Sequence, residues 1–370
     1  MTKSTAYMVR ALASVAALGL ASMAHAAETT KQTAAEIIAE HSQIPSFTPP
    51  GKPFDAKACM ADKKILTIPT SSSIPFTQGI VDALHDAAGE VGFEHQMWRN
   101  QGNPTQWVQG IEYAIANDFD AIDLMAGIIP ASLAPQIAAA HEAGIKVYAS
   151  HYTDVTLEHD PNVDVSLPVS FTKVGEIIAA WVAEETKGKG NVLVIGSDDI
   201  LPSQPYWKSI EATLAELCPD CKATYVNVPL PEWATKIQVA TQSALLRDPS
   251  INYIVPIYDS MSQFVLPALA ITGKRGMPIA TFNGTPFIID MIRNGDVKMD
   301  IGESLGWIAR SSLDAYMRDL CDTGDVPTEL YVPFYIFDKE NAETAGIPAD
   351  FDKGYGDAHV AGYRKLWGLE

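Results

Sequence analysis

Residues 64–91 read KILTIPTSSSIPFTQGIVDALHDAAGEV, and this stretch decides the fold. Its first six residues, Lys64–Pro69, form an apolar run of the kind that is buried in a parallel sheet. A polar turn with three serines follows. Ile80, Leu84, Ala87 and Val91 then recur at helical spacing. Strand, loop and helix in this order are the building unit of an α/β protein.

The unit repeats along the chain. Further strands are expected at 93–98, 121–125, 145–150, 191–195, 223–228, 253–257, 278–282, 298–301 and 329–334. Helices are expected at 107–117, 134–143, 174–185, 206–217, 233–246, 261–271, 287–293 and 308–320. The run breaks near 161–171. Two similar lobes are therefore expected, each a parallel sheet covered on both faces. Right-handed crossovers bring the loops after the strands to one edge of each sheet. Two such edges facing each other form a cleft for one small molecule.

The composition agrees. A length of 370 residues fits two domains, and 47% hydrophobic against 19% charged residues excludes disorder for most of the chain. With 26 basic and 45 acidic residues the formal net charge is −19, and no basic run is present. Nucleic acid and anionic lipid are thereby disfavoured as partners.

Lys3 and Arg10, the apolar run Ala11–Met23 and the small-residue site Ala24-His25-Ala26 read as a secretory signal over residues 1–26. The run is too short to span a bilayer. A periplasmic, soluble monomer cleaved near Ala26 is expected, and losing Lys3 and Arg10 takes the charge from −19 to −21. Residues 27–61 carry little pattern and read as a surface extension. Export permits disulfides, and there are four cysteines. Cys218-Pro-Asp-Cys221 follows an expected helix and precedes an expected strand. That placement favours a structural bridge over a redox pair, which usually opens a helix.

The loops after the strands carry a resemblance. Thr70-Ser-Ser-Ser-Ile-Pro75-Phe76 follows the first strand and Trp98-Arg-Asn-Gln-Gly-Asn103-Pro104 the second. Tyr258-Asp259, Phe282-Asn283-Gly284-Thr285-Pro286 and Gly302-Glu303 follow later ones. In order and spacing the chain resembles the periplasmic type I solute-binding proteins of the ribose- and galactose-binding kind, over about 63–337. The resemblance implies two Rossmann-like lobes joined by three hinge segments, with closure around a ligand handed to the permease of an ABC importer. It implies a first lobe of 62–165 plus 305–334 and a second of 166–304 plus 335–370. It also implies the disulfides Cys59–Cys321 and Cys218–Cys221.

Carried over position by position, the resemblance implies a ligand set. Ser73, Ile74 and Phe76 match the first ligand loop, and Met125 a position that is often Asn. His151 and Tyr152 stand where sugar binders carry Asp-Arg. Tyr206 or Trp207 stands where they often carry Arg, and Trp233 matches an aromatic stacking position. Tyr258 replaces the usual Asn, with Asp259 beside it. Phe282 and Asn283 match Phe-Asp, and Glu303 a hinge Gln or Asn. Neither usual Arg position holds Arg, so the fork that reads a carboxylate is missing. A sugar, polyol or similar small neutral ligand is expected, or one bearing an amine or an aromatic body.

Structural roles stay open for several of these residues. Asp259 fits a helix cap, Glu303 a hinge contact, Phe282 the core and His151 a satisfied polar position. Trp107 and Trp181 read as core. No nucleotide, hydrolase or zincin motif occurs, and no catalytic residue, metal or cofactor is expected. The densest metal-like group, His151, Asp154, His159 and Asp160, reads as a solvated loop. A sensor role with a chemoreceptor or sensor kinase, and an exported enzyme using the Cys218–Cys221 pair or the His151 cluster, are the alternatives.

Overall fold

The structure, a computed structural model, describes residues 31–370. The expected signal segment 1–26 lies outside the described residues. In chain order the elements are α1 (Ala34–Glu40), α2 (Ala56–Met60), β1 (Lys64–Pro69), α3 (Pro75–Val91), β2 (Glu94–Met97), α4 (Pro104–Ala116), β3 (Ala121–Met125), α5 (Ala134–Glu142), β4 (Lys146–Asp154) and β5 (Val165–Val169). The second half continues with α6 (Phe171–Glu185), β6 (Asn191–Gly196), α7 (Ser203–Leu217), β7 (Lys222–Asn227), α8 (Trp233–Arg247), β8 (Tyr253–Pro256), α9 (Ser262–Ile271) and β9 (Ala280–Asn283). It ends with α10 (Pro286–Asn294), β10 (Met299–Gly302), α11 (Leu305–Leu320), β11 (Tyr335–Phe337) and α12 (Ala358–Leu366).

Two sheets form as the repeating units predict. The first has the order β2-β1-β3-β4-β5, all parallel. The second joins β7-β6-β8 to β9-β10-β11 through a parallel bridge between Ile254 and Ile279. Its edge strand β11 runs antiparallel to β10. In the first lobe, Leu66, Ile68, Ile122 and Leu124 pack with Ile111 of α4 and Ile137 of α5. The α3 side of that sheet belongs to a core that continues into the second lobe. Local signals set the helix ends. Pro75 opens α3, where its missing N–H is harmless, and Gly92 closes it at φ +100°. Ser304 caps α11 by accepting from Trp307 N at 3.1 Å.

Several boundaries differ from expectation. Residues 329–334 are not a strand; Pro333 interrupts them, and pairing begins at Tyr335. Val165–Val169 is a strand although it contains Pro168, because it lies at the sheet edge, where a missing N–H is tolerated. The first crossing between lobes therefore falls after Val169, not after 165. The extension contributes two helices. Thr33 and Glu36 close a capping box on α1, and Ile336 N donates to His41 O at 2.8 Å, which ties this segment to the second lobe.

The C-terminal segment returns to the first lobe. Trp367 Nε1 donates to Asp314 Oδ1 of α11 at 2.9 Å, and Phe54 N donates to Leu366 O at 2.8 Å. Residues 335–370 thus do not all belong to the second lobe. Both bridges, Cys59–Cys321 and Cys218–Cys221, are formed, and Cys59–Cys321 joins α2 to the end of α11. The Cys218–Cys221 bridge sits between the end of α7 and the start of β7.

Candidate functional site

The loops after the strands meet between the lobes around a narrow cavity of about 30 Å³. The first lobe supplies Phe76, Ile74 and Thr77 from the β1–α3 turn, with Ala126 and His151 from the ends of β3 and β4. The second supplies Phe171, Ile200, Pro202, Trp233, Tyr258 and Asn283. The lobes touch at the rim. A Cβ on Gly127 would meet Ile200 Cγ2 at 2.6 Å, and one on Gly102 would meet Leu230 Cδ2 at 3.3 Å. Glycine at these two positions, both with positive φ, lets the second lobe's apolar side chains close onto bare backbone.

Backbone strain concentrates here. Ala126 at φ +65°, His151 at +50° and Asn283 at +143° all line the cavity and are buried. The other non-glycine residues with positive φ, Asp62, Asp118, Lys187 and Asp322, are exposed. Strained buried positions persist only where their surroundings over-determine them, and they cluster at binding sites.

His151 joins the lobes. Its Nε2 lies 2.7 Å from Glu303 Oε2 at the end of β10, and both side chains are buried. Phe76 packs against the ring from the first lobe at 5.0 Å, and Phe171 from the second at 5.3 Å, edge-on. Trp233 stacks on Tyr258 at 6.1 Å, with its Nε1 donating to Ser197 Oγ and Val228 O. Tyr258 OH lies 2.9 Å from Ser203 Oγ.

Three carboxylates lie one layer behind the polar side of the cavity. Asp259 accepts from Thr285 N at 2.9 Å and from Ser260 Oγ at 3.1 Å. Asp300 accepts from Gly284 N at 2.7 Å. Burial pushes the Asp259 carboxyl up to about 6. Burial, with the Asp259 charge added, pushes Asp300 well above the usual carboxylate range. Asp300 Oδ1, Glu303 Oε1 and Asn283 Oδ1 are buried without a hydrogen-bond partner.

Of the residues expected at the ligand, Ile74, Phe76, His151, Trp233, Tyr258 and Asn283 line the cavity. The others do not. Met125 is buried in the core beside Ala126. Tyr152 points away and pairs its hydroxyl with Ser166 at 2.8 Å. Trp207 lies over Tyr225 on the second lobe, whereas Tyr206 packs inward against Phe171 and Phe282. Ser73 is exposed and hydrogen-bonds Ser71. Asp259, Phe282 and Glu303 stand behind lining residues. Of the two tryptophans read as core, Trp181 is buried and donates to Tyr253 OH, while Trp107 is half-buried and holds Thr70 O. The sequence reading missed Phe171, Ile200 and Ser260. The signal for Phe171 was its place at the first residue after the crossing between lobes. Among the described residues no cluster suited to a metal ion occurs, and no helix is long and apolar enough to cross a membrane.

Two parallel-sheet lobes closing on an interlobe cavity define the architecture of a type I binding protein. The model of the periplasmic binding protein domain matches residues 65–322, and the chain belongs to that family. Solved structures agree in fold. An ABC transporter solute-binding protein from Agrobacterium vitis with bound α-D-tagatopyranose superposes with a TM-score of 0.68 at 18% identity, covering 79% of this chain and 99% of that one. Another from the same organism, with bound allitol, gives 0.65 at 18%, covering 77% and 98%. One from Actinobacillus succinogenes with bound D-allose gives 0.65 at 20%, covering 76% and 99%. No curated protein is matched by the sequence.

Proposed function

We propose that this chain is exported to the periplasm, loses residues 1–26, and serves as the solute-binding protein of an ABC importer. It closes its two lobes around one small uncharged or cationic organic molecule. The observation that carries this reading is the cavity walled by both lobes. His151 and Glu303 are joined across it, and Ile200 is seated on Gly127 at its rim. A solute touching Phe76 and Ala126 on one side and Trp233 and Tyr258 on the other gains its contacts only in the closed form, so binding shifts the population toward closure. The permease then reads the closed shape of a monomer.

The monosaccharides and polyols bound by the structural neighbours support a small-solute role. No Lys or Arg lines the cavity, which supports exclusion of anions. Binding without chemistry is the reading that fits a family of binding proteins. Native mass spectrometry of the protein purified without refolding tests it, combined with small-angle scattering before and after dialysis. A retained small molecule, with a larger radius of gyration once it is removed, is expected. Absence of any retained or added solute that compacts the protein overturns the reading.

A further inference from the structure

Building on that reading, the atoms of the cleft narrow the class of solute. We propose that the cleft takes an organic amine, a cationic N–H head on a compact apolar or aromatic body. The first ground is the wall. Phe76, Phe171, Trp233 and Tyr258 present aromatic surface, and Ile74, Ile200 and Pro202 add aliphatic surface. Four of the lining groups already use their polar side-chain atoms within the protein. Trp233 Nε1 donates to Ser197 and Val228, Tyr258 OH meets Ser203, Thr77 Oγ1 donates to Ser71 O, and Ser260 Oγ donates to Asp259. A sugar or polyol brings several hydroxyls that must each lose water. A hydroxyl left unpaired weakens binding by roughly five- to a hundredfold.

The second ground is the polar atom left over. Asn283 lines the cavity at 4% exposure, and its Oδ1 is buried with no partner. It is an acceptor, so the group that satisfies it is a donor. The unpartnered hydroxyls of Thr285 and Tyr355 lie elsewhere and do not line the cavity.

The third ground is charge. Asp259, Asp300 and Glu303 stand directly behind Ser260, Gly284 and His151. Among the described residues, His151 is the one basic side chain in an ion pair with any of the three. A cation in the cavity would sit in the field of Glu303 and of ionised Asp259, and against aromatic faces, both favourable. A carboxylate there would meet like charge.

The test uses five probes on the purified protein after exhaustive dialysis, read by thermal shift and calorimetry. Benzylamine, benzyl alcohol and benzoate share one ring and differ in the head group; D-allose and allitol represent polyhydroxyl solutes. Benzylamine is expected to raise the melting temperature and to bind about tenfold tighter than benzyl alcohol, with benzoate, allose and allitol without effect. Asn283→Leu, checked for native circular dichroism, is expected to weaken benzylamine about tenfold. Equal binding of benzyl alcohol, or binding of a sugar in place of benzylamine, overturns the amine assignment and leaves the solute-binding role standing. If none of the five binds, the amine assignment falls. The solute-binding role falls with it only if native mass spectrometry also finds no retained molecule.

Discussion

The two lobes bury carboxylates in opposite ways. In the first, Asp123 lies at the centre of the sheet with both oxygens used, accepting from Ser150 Oγ at 2.8 Å and Thr67 Oγ1 at 3.2 Å. On α11, the fully buried Arg318 is met by Asp314, Asp325 and the Lys52 carbonyl. In the second lobe Asp300 and Glu303 each leave a buried oxygen unpartnered, beside strained cavity residues. Partnered networks specify and hold a scaffold. Partly satisfied ones store an unmet interaction, and here they sit behind residues that line the interlobe cavity. The difference teaches that the first lobe is the frame and the second carries the poised chemistry.

The contrast can be broken most severely at Arg318. Arg318→Ala strands Asp314 in the core and is expected to cost about 4 kcal/mol in a urea titration. A loss below about 1 kcal/mol would mean that the frame does not depend on this network.

A paired test at the acids comes next. Asp123→Asn removes an acceptor from Ser150 or Thr67 and is expected to destabilise by about 1–2 kcal/mol. Asp300→Asn is expected to stabilise at pH 7. The sign follows from linkage. Burial raises the folded-state pKa of Asp300, and of Asp123 and Asp259 to about 6 each. A raised acid contributes stability below its unfolded value, near 4, and loses it as pH climbs through the folded value. The wild-type urea midpoint should therefore fall between pH 4 and pH 7, and Asp300→Asn should flatten part of that slope. An unchanged slope would show that burial does not raise the Asp300 carboxyl.

The smallest effect concerns the seam between the lobes. Ile200→Ala removes side-chain contact that the closed form makes with Gly127. About a tenfold weaker affinity for the retained solute is expected by calorimetry, with a smaller loss of stability in a urea titration, because Ile200 is buried against both lobes. An equal loss of stability would make Ile200 part of the frame instead.

Much of the scaffold was legible because parallel strands buried on both faces leave continuous apolar runs such as 64–69 and 191–195. β5 was not, since Ser166 and Pro168 break its run and only its edge position tolerates them. α1, α2 and α12 escaped because short helices owe their stability to packing more than to periodicity. At the site, aromatic positions after strand ends were readable, as Phe76 and Trp233 show. Direction was not. Tyr152 follows His151 in the same strand, yet only His151 lines the cavity, because the strand alternates faces and His151 itself adopts a positive φ. Asp259 does not cap the helix that follows it, the use its position had left open; its carboxylate accepts from Thr285 N and Ser260 Oγ instead.

The Cys59–Cys321 bridge spans a sequence separation of 262 residues. Every strand from β1 to β10 lies within the covalent ring it closes. Tension applied at Thr33 and Glu370 would run through the short outer arms and cross the sulfur–sulfur bond. The ring would hang slack beside that path. A pull at these two points would strip α1, α12 and the edge strand β11 before it reached the strands inside the ring, whose loops line the cavity.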